Sequence, residues 1–431
     1  MLMEGQGVNS LNHLTIGGCD SIELCEKYGT PLYVIDENVV REHCRLYKNS
    51  IDEFYDGNGL VFFASKALCN KAIVKLVQSE GLGVDSVSSG ELYTALSAGM
   101  EGEKICIHGN NKTDDELRYA IENNVGRIVV DNLSELERIN NIASEFNKVQ
   151  KILFRIKPGI DAHTHDFIMT GQIDSKFGFA LETGEAREAV VKALEYKNLL
   201  VGGIHCHIGS QIFESEPFKE AAKILVDFMG DIKDETGFEM TELNLGGGFG
   251  VTYTEKDDPI RFDKYIEEVS VVVKDSCAKR GISLPFIMME PGRSIVATAG
   301  VTLYTAGAIK DIPNIRRYVS IDGGMGDNPR YILYQAEYTC LVANKAGDEK
   351  IEKITLAGKC CESGDLIGEN MSIQSVETGD KIAVLSTGAY NYSMASNYNR
   401  IPRPAMVMVK DGESRIVVKR ETFEDLIRND V

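Results

Sequence analysis

Between about residues 36 and 290, short apolar runs alternate with stretches of helical periodicity. The runs fall at 60–64, 83–87, 105–108, 127–131, 151–156, 201–207, 242–245 and 285–290. They are rich in β-branched residues and bounded by Gly, Asp or Pro, as strands buried on both faces of a parallel sheet are. Between them, apolar residues share one helical face: Ala72, Ile73, Leu76 and Val77 in one unit, Leu133, Leu136, Ile139 and Ile142 in another. Thr113 followed by Glu116 predicts a capping box that starts a third helix. Eight strand–helix units in series predict an α/β architecture, a parallel (β/α)8 barrel, although the same count also suits an open doubly wound sheet.

After residue 290 the texture changes. Runs at 301–309, 317–321, 336–344, 353–357 and 381–385 are strand-like, with no long helices between them. Runs at 406–410 and 415–419 flank Asp411-Gly412, a hairpin turn signal. A second, mainly antiparallel β domain is expected there. Residues 1–35 carry a short helix pattern over 21–28 and a strand-like 32–35, which could join either part. The expected division is a barrel over 36–290 and a β domain built from 1–35 and 291–431.

The bulk properties narrow the function. The chain has 431 residues, 43% of them hydrophobic and 26% charged, ordinary for a soluble globular protein. A net charge of -19 argues against a sequence-blind nucleic-acid binder, which needs a basic face. It does not exclude a small anionic ligand, which a few local donors can hold. No stretch approaches the ~18 apolar residues of a membrane span. The opening MLMEGQGVNS lacks the basic and apolar regions of an export signal, so a cytoplasmic protein is expected. The ten cysteines, without CxxC pairs, then read as reduced thiols.

In barrels the chemistry sits where strands end, and the polar oddities of this chain fall there. Lys66 follows the first run; an amine beside an apolar strand end is partly desolvated, which favours its nucleophilic form. The plainer reading is a surface lysine. Asp85 ends the second run and could balance Lys66 or orient a cofactor; otherwise it is an ordinary acid before a helix. His205 and His207 alternate with Cys206 at the end of the sixth run and so share a face. They suit a metal pair, or an imidazole face for stacking on a planar ring with Ser210 as a hydroxyl donor. Spacing supplies no third ligand, so no metal is expected. Gly246-Gly247-Gly248 follows the seventh run and lets backbone N–H groups converge on an anion, in a barrel usually a phosphate. Glu290-Pro291-Gly292-Arg293 ends the eighth. A glutamate there can keep a ring nitrogen protonated, making the ring an electron sink, and Arg293 offers a fork for a carboxylate. The plainer reading is a Glu290–Arg293 pair closing the barrel. The later region adds Arg330 with Tyr331 and Tyr334, the run Cys360-Cys361-Glu362-Ser363-Gly364-Asp365, and Tyr390 at a strand end. The cysteine pair reads as an exposed loop or, more plainly, as small buried hydrophobes.

At these residues the chain resembles the alanine-racemase-like, fold type III pyridoxal-phosphate enzymes, and within them the diaminopimelate decarboxylase family. The resemblance runs from Thr30-Pro31-Leu32-Tyr33 to Tyr390. It is carried by Ala64-Ser65-Lys66-Ala67, His163-Thr164-His165 with Thr170-Gly171, Asp174-Ser175-Lys176-Phe177-Gly178, His205 to Ser210, Gly246 to Gly248, Glu290 to Arg293 and Cys361 to Asp365. It implies pyridoxal 5'-phosphate as cofactor, held covalently by Lys66, stacked on by His207 and met at its ring nitrogen by Glu290. Asp85, Pro291 and Gly292 fall in the cofactor set. Gly246, Gly247, Gly248, Ser210, Gly292 backbone and the Tyr390 hydroxyl would hold the phosphate. Arg293, Arg330, Tyr334, Glu362 and Tyr390 would bind an amino-acid substrate, and Cys361 would be the acid that reprotonates it. A head-to-tail homodimer is implied, with Cys361 and Glu362 completing the partner's site. The expected activity is decarboxylation of meso-2,6-diaminopimelate to L-lysine. A D-ornithine/D-lysine decarboxylase on the same scaffold, an amino-acid racemase and a non-enzymatic pyridoxal-phosphate carrier are the alternatives.

Overall fold

The computed structural model describes residues 1–160 and 175–431 and divides into two compact units. One comprises residues 43–250 and 259–292; the other comprises 1–42, 251–258 and 293–431. The chain passes from the first to the second for the last time at Gly292–Arg293.

The first unit is the barrel. Its strands are β1 (Gly59–Ala64), β2 (Gly83–Ser86), β3 (Ile105–Ile107), β4 (Arg127–Val130), β5 (Gln150–Lys157), β6 (Leu199–His205), β7 (Glu242–Asn244) and β8 (Phe286–Met289). Each pairs in parallel with the next, and β8 pairs with β1. The sheet is therefore closed, and the open-sheet alternative falls. A two-residue strand, Phe179–Ala180, adds to β5.

Local chemistry sets the helices between them. Asn70 caps Lys71–Ser79 by accepting from the N–H groups of Ala72 and Ile73, and Ile73, Val74, Leu76 and Val77 are buried. Thr113 and Glu116 form the expected capping box on Asp114–Glu122. In Leu133–Glu145 the buried apolar face runs through Leu136, Ile139 and Ile142; Leu133, in the uncovered first turn, is exposed.

Period-two alternation along the strands layers the barrel interior. Phe62, Cys106, Val129, Leu153 and Met288 form one buried apolar cluster. Two residues further on lie His108, Asp131, Arg155 and Glu290, all buried and all polar. The alternation that fills the barrel thus delivers polar groups to the C-terminal ends of β3, β4, β5 and β8. At the opposite end, Arg127 pairs with Glu242 (Nε–Oε2 2.7 Å), Lys151 joins it (2.7 Å), and the Arg127 guanidinium lies over Phe62 and Phe286.

The second unit is a mixed, mainly antiparallel sheet. Gly300–Ile312 is its longest strand and pairs antiparallel with Leu32–Asp36, Arg316–Ile321 and Lys381–Leu385. Leu32–Asp36 brings the amino-terminal segment into this unit. The Asp411-Gly412 turn joins Ala405–Lys410 to Glu413–Val418, both turn residues at positive φ (50° and 82°), as a two-residue hairpin requires. Two strands depart from the pattern. The 336–344 run narrows to Cys340–Val342, because the chain winds into a 3-10 turn at Ala343–Lys345. Leu366–Ile373 is a strand that alternation misses: Asn370 takes φ +54° and the pairing slips against Glu352–Ala357, so polar residues fall out of phase. Among the described residues no helix is long and apolar enough to cross a membrane.

Candidate functional site

The barrel unit gathers its titratable side chains at the C-terminal strand ends. Lys66 lies in a short 3-10 turn, Ser65–Ala67, directly after β1 and is half-buried. It is not a snorkelling surface lysine: its charge acts on both Asp85 and His207. Gly292 lies against this turn, where an added Cβ would come within 2.9 Å of Ala64 Cβ and 3.1 Å of Ala67 Cβ. The Pro291 carbonyl accepts from the Ala64 N–H (3.0 Å). The residue beside Lys66, Ser65, is buried and donates to Glu91 (2.8 Å).

Glu290, just beyond β8, is the best-held carboxylate. Oε1 meets His108 Nε2 at 2.8 Å and accepts from Asn244 Nδ2 at 2.6 Å; Oε2 meets His205 Nε2 at 3.1 Å. Burial alone would raise its pKa, but His108 and His205 overcome that and hold it well below the carboxylate range. Asp85 lies 3.6 Å from His108 Nε2, and its buried Oδ1 makes no hydrogen bond. Burial, with Glu290 nearby, pushes Asp85 up to about 7 against the pull of His108 and Lys66. It is not a helix-capping acid; Ser88 does that work for Ser89–Ser97.

His205 is buried and drops to about 4, chiefly through burial. His207 is half-buried and sits well below its ordinary value, through desolvation and then the Lys66 cation. Two neutral imidazoles therefore stand on this face, but His205 is committed to Glu290, which removes it from a metal pair with His207. Among the described residues the grouping whose ligand atoms do converge is Cys106, His108 and Glu290, within 4.8 Å. Burial keeps the Cys106 thiol protonated, a poor metal ligand.

The glycine run is a cradle that any side chain would fill. Gly246 and Gly248 have φ of +65° and +122°. A Cβ on Gly246, Gly247 or Gly248 would come within 2.3, 2.1 and 2.4 Å of the carbonyl oxygens of Cys206, Glu290 and Gly209. These contacts draw the loops after β6, β7 and β8 together. Ser210 is half-buried in the first of them, and its neighbour Gln211 holds φ +63°.

The second unit contains a cluster of two arginines and four tyrosines. Arg293 Nη1 donates to Tyr253 Oη (2.6 Å) and lies over the Tyr390 ring (4.8 Å). Arg330 is buried and lies over Tyr334 (5.4 Å), Tyr390 (5.6 Å) and Tyr253 (6.0 Å). No carboxylate among the described residues pairs with Arg330. Burial works against its charge, but the phenols of Tyr253, Tyr338 and Tyr390 outweigh it. Tyr390, between the two guanidiniums, holds a positive φ of 63°, a strained setting for a bulky residue and typical of a functional position. Cys361 and Glu362 are exposed on a loop, whereas Cys360 is half-buried. Asp365 is the loop's buried anchor, accepting from the Met325 and Cys360 N–H groups (2.5 and 2.7 Å). No cysteine is joined in a disulfide.

Sequence reasoning did not single out His108, Asn244, Arg155 or Tyr253. The first three were findable, since each stands two residues beyond an inward-facing strand position. Tyr253 carried no such signal; it belongs to the short 251–258 segment, tied to the second unit by Thr339 Oγ1 donating to the Tyr253 carbonyl (2.9 Å). His163, Thr164, His165, Thr170, Gly171 and Asp174 lie outside the described residues.

The donor set fits pyridoxal phosphate: an amine, a glycine cradle for a dianion, a neutral imidazole face and a carboxylate fixed as an acceptor. Residues 37–297 match the family model for the pyridoxal-binding domain of the pyridoxal-dependent decarboxylases. The chain is 47% identical to the diaminopimelate decarboxylase of Bacillus subtilis (strain 168) over 426 residues, covering 98% of this chain and 96% of that one. It is 51% identical to the diaminopimelate decarboxylase of Bacillus methanolicus over 414 residues, 96% of each. Its fold superposes on the crystal structure of diaminopimelate decarboxylase from M. jannaschii in complex with L-lysine with a TM-score of 0.92, at 36% identity, over 100% and 99% of the two chains.

Proposed function

The chain belongs to the pyridoxal-dependent decarboxylase family, among its diaminopimelate decarboxylases, and on that footing we propose how its residues share the work. The reaction removes one carboxylate of meso-2,6-diaminopimelate as carbon dioxide and leaves L-lysine, the last step of lysine biosynthesis. Pyridoxal phosphate, when bound, supplies a ring into which the electrons of the breaking carbon–carbon bond can spread.

Lys66 Nζ holds the cofactor covalently. Gly246, Gly247, Gly248, Ser210, the Gly292 backbone and the Tyr390 hydroxyl hold its phosphate. His207, kept neutral, offers its face to the ring, and Glu290 faces the ring nitrogen, with Asp85 and Pro291 beside it. Arg293, Arg330, Tyr334, Tyr390 and Glu362 bind the substrate, Glu362 taking the distal ammonium. Cys361 Sγ delivers the proton that replaces the lost carboxylate. The working form is a cytoplasmic homodimer in which Cys361 and Glu362 serve the partner's site.

Arg330 is the observation that carries the substrate assignment. A buried guanidinium with no carboxylate partner among the described residues costs several kcal/mol, on the order of what an anionic ligand can return. A substrate with a second carboxylate at its far end supplies that anion; D-ornithine and D-lysine do not. The test is carbon dioxide release with matching lysine formation from meso-diaminopimelate, run beside D-lysine and D-ornithine. Borohydride treatment of the coloured enzyme should then lock a cofactor adduct onto Lys66, read by peptide mass. Equal turnover of D-lysine would remove the distal-carboxylate assignment, and an adduct on another lysine would remove Lys66.

A further inference from the structure

His108 has no role in the assignments above, yet it sits at the centre of the buried charge in the barrel. Its Nε2 is 2.8 Å from Glu290 Oε1 and 3.6 Å from Asp85 Oδ1. Its ring lies edge-on to His205 at 4.7 Å. It hydrogen-bonds the Cys106 thiol on its own strand. Asn244, at the end of β7, and His205, at the end of β6, bond the same Glu290 carboxylate. Arg155, on β5, and Asp131, beyond β4, complete the surrounding charge. All of these groups are buried.

We propose that His108 is a positioning residue: clamped between Asp85 and Glu290, it keeps the Glu290 carboxylate a pure acceptor, so that the proton between Glu290 and the cofactor resides on the ring nitrogen. The inference rests on the pyridoxal-phosphate reading and deepens it. A carboxylate offers about four lone-pair sites. Three face His108, Asn244 and His205, which leaves one direction for a ring N–H and gives Glu290 no reason to keep a proton itself. The two imidazoles differ in kind. Two carboxylates flank His108 and favour its cationic form, whereas His205 has one carboxylate and an unpartnered, buried Nδ1. The His108 cation therefore serves both buried acids at once, with the Lys66 charge also acting on Asp85, and the second acid, Asp85, favours that cation. Arg155 adds a second positive charge but makes no contact with Glu290 within ion-pair distance among the described residues.

The test uses full-length enzyme reconstituted with pyridoxal phosphate labelled with nitrogen-15 in the ring, comparing wild type with His108→Gln and His108→Leu. The nitrogen resonance reads protonation directly, independently of turnover. Wild type should show a protonated ring nitrogen at neutral pH. Both variants should load cofactor on Lys66 but move the resonance toward its unprotonated position, the Leu variant further because it also loses the donor. In both, kcat should fall about 10–100-fold while KM stays within about twofold, the mark of a group acting through another. Either variant carrying cofactor on Lys66 with an unshifted nitrogen resonance overturns the role of His108. Wild-type protein that takes up no cofactor overturns the underlying reading as well.

Discussion

Single residues gain their meaning here from what surrounds them. Arg330 and Arg293 are both arginines among tyrosines, but Arg293 shares a hydrogen bond with Tyr253, while Arg330 stands buried without a carboxylate among the described residues. Arg330→Ala should therefore cut kcat/KM for meso-diaminopimelate by about 100-fold or more, on the scale of lost charged recognition. Cofactor content, read from the visible absorption band, should stay near wild type; parallel loss of both would count against a substrate role. Legibility in the sequence was uneven at this scale. Lys66, the three glycines and Glu290 announced themselves by residue type at strand ends. His108 was findable only as an inward position, two residues beyond Cys106, because a lone histidine ending a short strand looks the same whether or not a carboxylate meets it. Only the meeting of β2, β3 and β8 around it decides.

At the scale of elements, the strands were readable because burial on both faces leaves an uninterrupted apolar run, but eight such strands suit an open sheet as well, and only the pairing of β8 with β1 closes the barrel. What alternation could not convey is which end of each inward row is polar for chemistry and which for stability. Glu242 illustrates the second case. It is buried at the amino-terminal end of β7, and Arg127 and Lys151 hold its pKa low against the opposing effect of burial. Because the folded value lies below the unfolded one (about 4.3), its contribution is complete above that pH and is lost as acid takes the pH through the folded value. Glu242→Gln leaves Arg127 buried and uncompensated and should cost about 3–5 kcal/mol. Urea unfolding at neutral pH should show that loss, and the gap between wild type and variant should close on acidification. The strand Leu366–Ile373 was missed for a related reason: a residue at positive φ inside it shifts the phase that sequence patterns rely on.

For the whole molecule, the open question is how many chains make one working site. Cys361 and Glu362 are exposed on their loop in the single chain, as residues serving a second copy would be. If they complete the partner's site, Lys66→Ala and Cys361→Ala should each be nearly inactive alone. Mixed and allowed to exchange subunits, they should recover about a quarter of wild-type activity, since half the dimers are hybrids with one intact site of two. Activity that stays at the level of the parents after proven exchange would mean that each chain uses its own Cys361.

The amino-acid sequence by itself determined the eight strand–helix units, the appended β domain and the chemical family, while the β8–β1 pairing that closes the barrel is seen only in the structure. Strand periodicity, glycine at positions of positive φ and a reactive residue at a strand end are local properties, written within a few residues of one another. The tertiary structure alone decided which charges are shared. Glu290 draws its donors from β3, β6 and β7, and Asp85 reaches the same histidine from β2. Those residues are up to some two hundred positions apart in the chain, and the protonation states that follow arise from burial and mutual distance, quantities that exist only once the barrel has closed.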